Sequence, residues 1–204
     1  MNKIRFVLPM LIVLLFNFAS LASAAPLRLA QAPVILHAYC PPDVEDALNA
    51  QVSRATHVPL NDFLQAVEYL PSQEIMTALG DLRQTGRKVK YKEMVKPLAE
   101  ELKADMVVLP VLTGYQHWQR LSWRLGLIEH CYASVELYVY DARTDELVRK
   151  SASRFYDDES SARGSAANLA QEAMTQVLHT SRLHERIYPA KKAFPSGEGG
   201  SPQG

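Results

Sequence analysis

The segment from Cys131 to Tyr140 alternates without a break: Cys, Ala, Val, Leu and Val at the odd positions, Tyr, Ser, Glu, Tyr and Tyr at the even ones. Successive side chains of a strand point to opposite faces, so this is a strand with one face for a helical layer and one amphipathic face. Asp141 to Asp145 reads as a turn, and Glu146 to Tyr156 returns as an antiparallel strand. Upstream, Met106 to Leu112 holds no polar residue, which suits a strand buried on both faces. Pro110 inside it predicts an edge position or a bulge, because proline has no N–H for the ladder.

Helical spacing supplies the rest. Met94, Val95, Leu98, Ala99 and Leu102 form one stripe over Tyr91 to Lys103, with Pro97 predicting a kink or a later start. Val44, Leu48, Val52 and Ala55 predict a helix from Val44 to Thr56, capped by Asp43. Ser72 caps another, with Ile75, Leu79 and Leu82 on one face and an end near Gly86. Ala166 to about Leu183 carries the stripe of a long closing helix. Val34 to Tyr39 reads as a short strand, and Phe63 to Leu70, by its Val and aromatic content, as another. Together these predict an α+β domain: a mostly antiparallel sheet of four to five strands with helices packed beside it.

The amino terminus has the order of a secretory signal peptide: basic Lys3 and Arg5, an apolar core from Phe6 to Phe16, and Ala22-Ser23-Ala24 as a small-x-small exit. Cleavage after Ala24 is expected. A retained anchor needs on the order of 20 apolar residues, and this core is shorter and interrupted by Pro9 and Asn17. With no cysteine directly behind it, lipidation is not expected, and the exported chain should be soluble, without stable membrane insertion, in the periplasm or outside the cell. The organisation expected is a leader over 1–24, an extended lead-in over 25–33, one domain over 34–188 and a disordered tail over 189–204, rich in Pro, Gly, Ser and Lys.

Of 204 residues, 22 are basic and 22 acidic; without Lys3 and Arg5 the balance is 20 against 22, a net charge of −2. With no basic run longer than Lys191-Lys192, the chain has no electrostatic footprint for nucleic acid. An even cysteine count in an exported chain makes Cys40–Cys131 a candidate disulfide; the alternative is two separate buried thiols.

From Leu98 to Tyr156 the chain resembles bacterial envelope domains: the periplasmic domain of the curli-secretion protein family and the amino-terminal domain of the Tol-system translocation protein. The matching residues are Ala104-Asp105 before Met106-Val107-Val108, then Val139-Tyr140-Asp141-Ala142-Arg143-Thr144, with Asp145 where the pattern has glycine. They mark turns and helix–strand junctions, not chemistry. The resemblance implies an envelope module that binds a protein or another envelope component. A pore is not implied, because Tyr115 to Gly126 is too short for two membrane strands of about 9–11 residues and a turn.

The best candidate contact is the connection carrying Tyr115, His117, Trp118, Arg120, Trp123 and Arg124, since Trp, Tyr and Arg dominate contact hot spots. The alternative is that its aromatics fold back over the sheet. Tyr132, Tyr138 and Tyr140 are a second patch, open to a partner or covered by the chain itself. His37, Cys40, His130 and Cys131 have poor metal spacing, and neighbours on a strand face opposite ways, so no metal and no cofactor are expected. Asp157-Asp158-Glu159 reads as a solvated acidic turn before a helix from Ser160; the enzymatic alternative is a hydrolase using it. No phosphate loop, nucleophile elbow or His-Glu-x-x-His run is present. The expected function is non-enzymatic: protein binding or assisting an assembly, the other alternative being a subunit of a secretion or transport assembly.

Overall fold

The computed structural model describes residues 25–84, 90–124, 126–159 and 164–188. The expected leader and tail lie outside them. Along the chain come β1 (Leu27–Gln31), β2 (Ile35–Leu36), α1 (Pro42–Thr56), α2 (Asn61–Leu64), β3 (Val67–Tyr69), α3 (Ser72–Gln84) and α4 (Tyr91–Leu102). Then follow β4 (Met106–Ser122), β5 (Gly126–Asp141), β6 (Glu146–Glu159), α5 (Ala166–Ser181) and α6 (Leu183–Ile187). The six strands make one sheet in the order β3-β1-β4-β5-β6, with β2 also on β4. β4, β5 and β6 are antiparallel neighbours, whereas β1 and β2 run parallel to β4, and β3 parallel to β1. The α+β class stands; the sheet is larger than expected and mixed.

The apolar run of β4 explains the layering. Met106, Val108 and Leu112 face a core built with α1, α5 and α6, while Val107, Leu109 and Val111 face a second core built with α3 and α4. β5 obeys its alternation: Cys131, Ala133, Val135, Leu137 and Val139 join the first core, and Tyr138 and Tyr140 are buried in the second. Each fully buried Leu or Val contributes about 1.5–3 kcal/mol, so this strand pair holds both helical layers to one sheet.

Pro110 does not put β4 at an edge. Ala32 donates to the Val108 carbonyl at 2.9 Å and His37 to the Leu112 carbonyl at 3.0 Å. Alternate residues of a strand point their backbone groups the same way, so the Pro110 nitrogen faces the gap between β1 and β2, where no donor is needed. α4 likewise runs through Pro97, whose exposed position leaves the Glu93 carbonyl beside water.

The segment expected as a lead-in is β1, inserted between β3 and β4. Of Val34 to Tyr39 only Ile35–Leu36 pairs, and of Phe63 to Leu70 only Val67–Tyr69 is strand. The Asn61 amide closes that loop, donating to Val67 O at 2.7 Å and accepting from Val67 N at 2.8 Å. α1 starts at Pro42, so Asp43 lies in its first turn instead of capping it. The end expected for α3 near Gly86 lies outside the described residues.

The junction residues of the envelope-domain resemblance are structural. Asp105 accepts from Arg28 N at 2.8 Å, its own N–H donates to Arg28 O, and its carbonyl accepts from Ala142 N, tying β1, β4 and the β5–β6 turn together. Asp145 takes the glycine position at φ 52° and is held there by Lys96 Nζ at 2.8 Å and the Tyr140 hydroxyl at 2.7 Å. Asp141 is buried, which alone would raise its carboxyl; hydrogen bonds from Arg143 N, Nε and Nη2 outweigh that and hold it below the usual range.

Two outcomes are expected. In denaturant unfolding, Leu137→Ala loses about 2–5 kcal/mol, whereas Leu121→Ala, on the exposed end of β4, changes stability by no more than about 0.5 kcal/mol. Because the folded pKa of Asp141 is depressed, its contribution is present above the unfolded carboxylate pKa of about 3.9 and lost as pH falls through the folded value. Asp141→Asn therefore costs about 1–3 kcal/mol at neutral pH, and the gap to wild type closes in acid.

Candidate functional site

Burial along β4 ends abruptly: Met106 to Leu112 are buried, and Gln116 to Leu121 are exposed. At the boundary the ladder slips. Leu112 opposes Val135 but Gly114 opposes Ser134, so Thr113 is an extra residue, a β-bulge. Thr113 Oγ1 donates to the Ser134 carbonyl at 3.1 Å and lies 3.0 Å from Ser134 Oγ. A Cβ on Gly114 would stand 2.7 Å from the Tyr132 ring, so glycine permits the close approach. The bulge exchanges faces: before it, even-numbered residues of β4 face the α1/α5 side; after it, odd-numbered ones do.

β4 and β5 thus continue past the helices as an arm, with β6 beside them as far as the Ile128–Glu159 pair. The six candidate contact residues do not form one surface. Tyr115 still packs against the first core, and burial pushes its phenol up. Tyr115 and His117 are on the α1/α5 side; Trp118 and Arg120 are on the other. Trp123 and Arg124 occupy the tip, with Trp123 wholly exposed. Trp118, 47% exposed, stacks on His130 with ring centroids 5.2 Å apart at 9°. Leu121, 78% exposed, and the exposed Leu127 and Phe155 add apolar surface. The arm therefore combines an aromatic packed on its own sheet with one wholly exposed at the tip.

The acidic turn is not a turn. Asp157, Asp158 and Glu159 end β6. Asp157 Oδ1 lies 2.9 Å from His130 Nδ1, completing a row of Trp118, His130 and Asp157 across three strands. Asp158 is opposite Glu129, and strand alternation sends it to the other face, so the two aspartates do not act as an acid/base pair.

Cys40 and Cys131 are free, buried thiols in the same core, not the candidate disulfide. Each lies near the first turn of a helix, Cys40 by Glu45 of α1 and Cys131 by Ala166 of α5, whose backbone N–H groups favour the thiolate. Burial pushes both thiols above their ordinary range, aided by Glu45 at Cys40 and by Glu129 at Cys131. The tyrosine patch also divides: Tyr138 and Tyr140 are covered by the chain itself, while Tyr132 is half-buried beside Gly114.

A cavity of about 690 Å³ lies over the α4 side of the sheet, lined by His37, Arg83, Tyr91, Glu136, Tyr138 and Arg149 among others. The Tyr91 hydroxyl lies 2.6 Å from His37 Nε2 and accepts from Arg83 Nη2 at 2.9 Å. Glu136 accepts from Arg149 Nη2 at 2.6 Å and from the Tyr138 hydroxyl. Burial, then the bond to Glu136, push the Tyr138 phenol up to about 12. Burial opposes ionisation of Glu136, but Arg149 and Tyr138 outweigh it and hold the carboxyl below its usual range. Sequence reasoning missed this network. Glu136 showed only as a polar position of β5 and Tyr138 only as part of a tyrosine patch, and nothing local brings Arg83 and Tyr91 to them.

No known protein family and no curated protein matches the chain. Solved structures do. PelC from Paraburkholderia phytofirmans, a dodecamer, is 11% identical, with 76% of this chain and 88% of that one covered and a TM-score of 0.40. Hypothetical protein CT253 from Chlamydia trachomatis is 12% identical over 81% and 100%, at 0.44. Lipoprotein GNA1162 from Neisseria meningitidis is 16% identical over 76% and 99%, at 0.38. The likeness is one of fold, and none of the three is named as a curli-secretion or Tol-system protein. Among the described residues, no helix is long and apolar enough to cross a membrane.

In an alkaline absorbance titration, one tyrosine is expected to ionise near 12, against about 10 for an unperturbed phenol. Glu136→Gln lowers that step, because the neutral amide no longer opposes the phenolate.

Proposed function

We propose that this chain is an exported cell-envelope module that works by protein contact, with the tip of the β4–β5 arm as the contact. The observation carrying this reading is the wholly exposed Trp123 at the end of an arm that leaves both cores behind. A soluble domain gains nothing by presenting Trp, Leu and Phe to water, and such patches mark interaction sites. Arg120 and Arg124 flank the aromatics, so the fitting partner has an apolar pocket rimmed by acidic groups. The leader read in 1–24 and the likeness of Leu98 to Tyr156 to curli-secretion and Tol-system domains support the envelope setting. The hydrolase alternative loses its acidic turn, since Asp157 orients His130 and Asp158 faces away.

Trp123 is the residue to change, because Trp118 also packs on His130. With the full chain expressed behind its own leader, cross-linking in the envelope should yield a discrete partner, and Trp123→Ala should weaken that partner's binding by roughly 30-fold, the loss of about 2 kcal/mol typical of a hot spot. Circular dichroism and unfolding should be unchanged. Equal binding by both forms would overturn the proposal.

A further inference from the structure

The bulge at Thr113 has a second effect. By bringing odd-numbered residues of β4 to the α1/α5 side, it sets His117 directly opposite Cys131, and Gln119 opposite Glu129. Had the ladder continued unbroken, His117 would face the other way. The imidazole, the Glu129 carboxylate and the Cys131 sulfur each turn one donor atom inward, and those three atoms lie within 4.8 Å of one another. His117 Nε2 and Glu129 Oε1 are 3.6 Å apart. A tetrahedral zinc ion with bonds of about 2.0–2.3 Å needs donor separations of about 3.3–3.8 Å. One pair is already there, and the sulfur, within 4.8 Å of both other donors, needs a shift of at most about 1 Å.

The surroundings are those of a built site. Cys131 is wholly buried and Glu129 is 9% exposed, while His117 is half-exposed and gives an ion a way in from solvent. Gln119 Nε2 donates to Glu129 Oε1 at 3.0 Å and fixes the carboxylate, the role of a group standing behind a ligand. The sixteen-residue α5 begins beside Cys131, and the backbone N–H of Ala166 in its first turn favours negative charge on the sulfur. The donor set selects the ion. Calcium and magnesium take oxygen ligands, whereas one sulfur, one imidazole nitrogen and one carboxylate suit zinc and its neighbours.

We propose that His117, Glu129 and Cys131 bind a zinc-class divalent ion. Binding exchanges the thiol proton of Cys131 for the metal, the proton passing to solvent, with neutral His117 coordinating through Nε2. Three protein donors leave the fourth tetrahedral position to water or to an incoming ligand. The proposal is separate from the contact at the arm tip, and Trp123→Ala should bind the ion as wild type does.

Cobalt(II) is the probe, added to the reduced, chelator-stripped full chain. One equivalent should give a thiolate-to-cobalt charge-transfer band with tetrahedral visible absorption, and one equivalent of zinc should abolish both. Cys131→Ser should lack the band, and Cys40→Ser should keep it. Cys131 is buried, so the exposed His117→Ala is the second variant: it should fold as wild type and bind zinc at least about tenfold more weakly in chelator competition. A missing band in wild type, a band surviving Cys131→Ser, or unchanged zinc affinity in His117→Ala would each overturn the proposal.

Discussion

Everything in this fold hangs on the first seven residues of β4. From Met106 to Leu112 each residue is buried, and all but Pro110 alternate between the core with α1, α5 and α6 and the core with α3 and α4. Burial on two faces obliges both helical layers to exist, because an apolar face left open costs about 25 cal/mol for every Å² in water. It also accounts for the parallel partners β1 and β2, which cover the edge of β4 that β5 does not. The exposed half of β4 is then free to do something else, since it is held in place by a ladder whose other half is locked.

A single inserted residue divides those two halves. Thr113 leaves the β5–β6 register unbroken, yet it changes which β4 side chains meet which β5 side chains. Trp118 thereby joins His130 and Asp157 on one face, while His117 joins Cys131 and Glu129 on the other. Gly114, pressed against the Tyr132 ring, is the steric condition for the bulge. The mechanics of the arm and the chemistry on it have one cause.

The parts of the fold legible in the sequence were those written in short-range spacing. The α4 stripe of Met94, Val95, Leu98, Ala99 and Leu102 is buried as read, and the β5 alternation sends its odd residues to one core. β1 was illegible because five residues with Arg28 and Gln31 among them carry too short a pattern, and their burial comes from two parallel neighbours far along the chain. Phe63 was misleading for the opposite reason: its aromatic character suggested a strand, but the polar Asn61 amide, closing on Val67, bends that stretch into a turn of helix. The acidic run at Asp157 looked like a helix entry because composition alone does not distinguish a solvated turn from a strand end on which Asp157 meets His130 across the sheet.

By itself the sequence determined the α+β class, a strand buried on both faces, a long helix after the last strand and an aromatic connection between two strands. Those follow from periodicities of two and 3.6 residues, which any stretch of chain displays without reference to the rest. Tertiary structure alone decided the mixed sheet, the division of the six arm residues among two faces and a tip, the Glu136–Tyr138–Arg149 network, and the meeting of His117 with Cys131. Each depends on register between strands, and register is a relation between distant segments that one extra residue reverses.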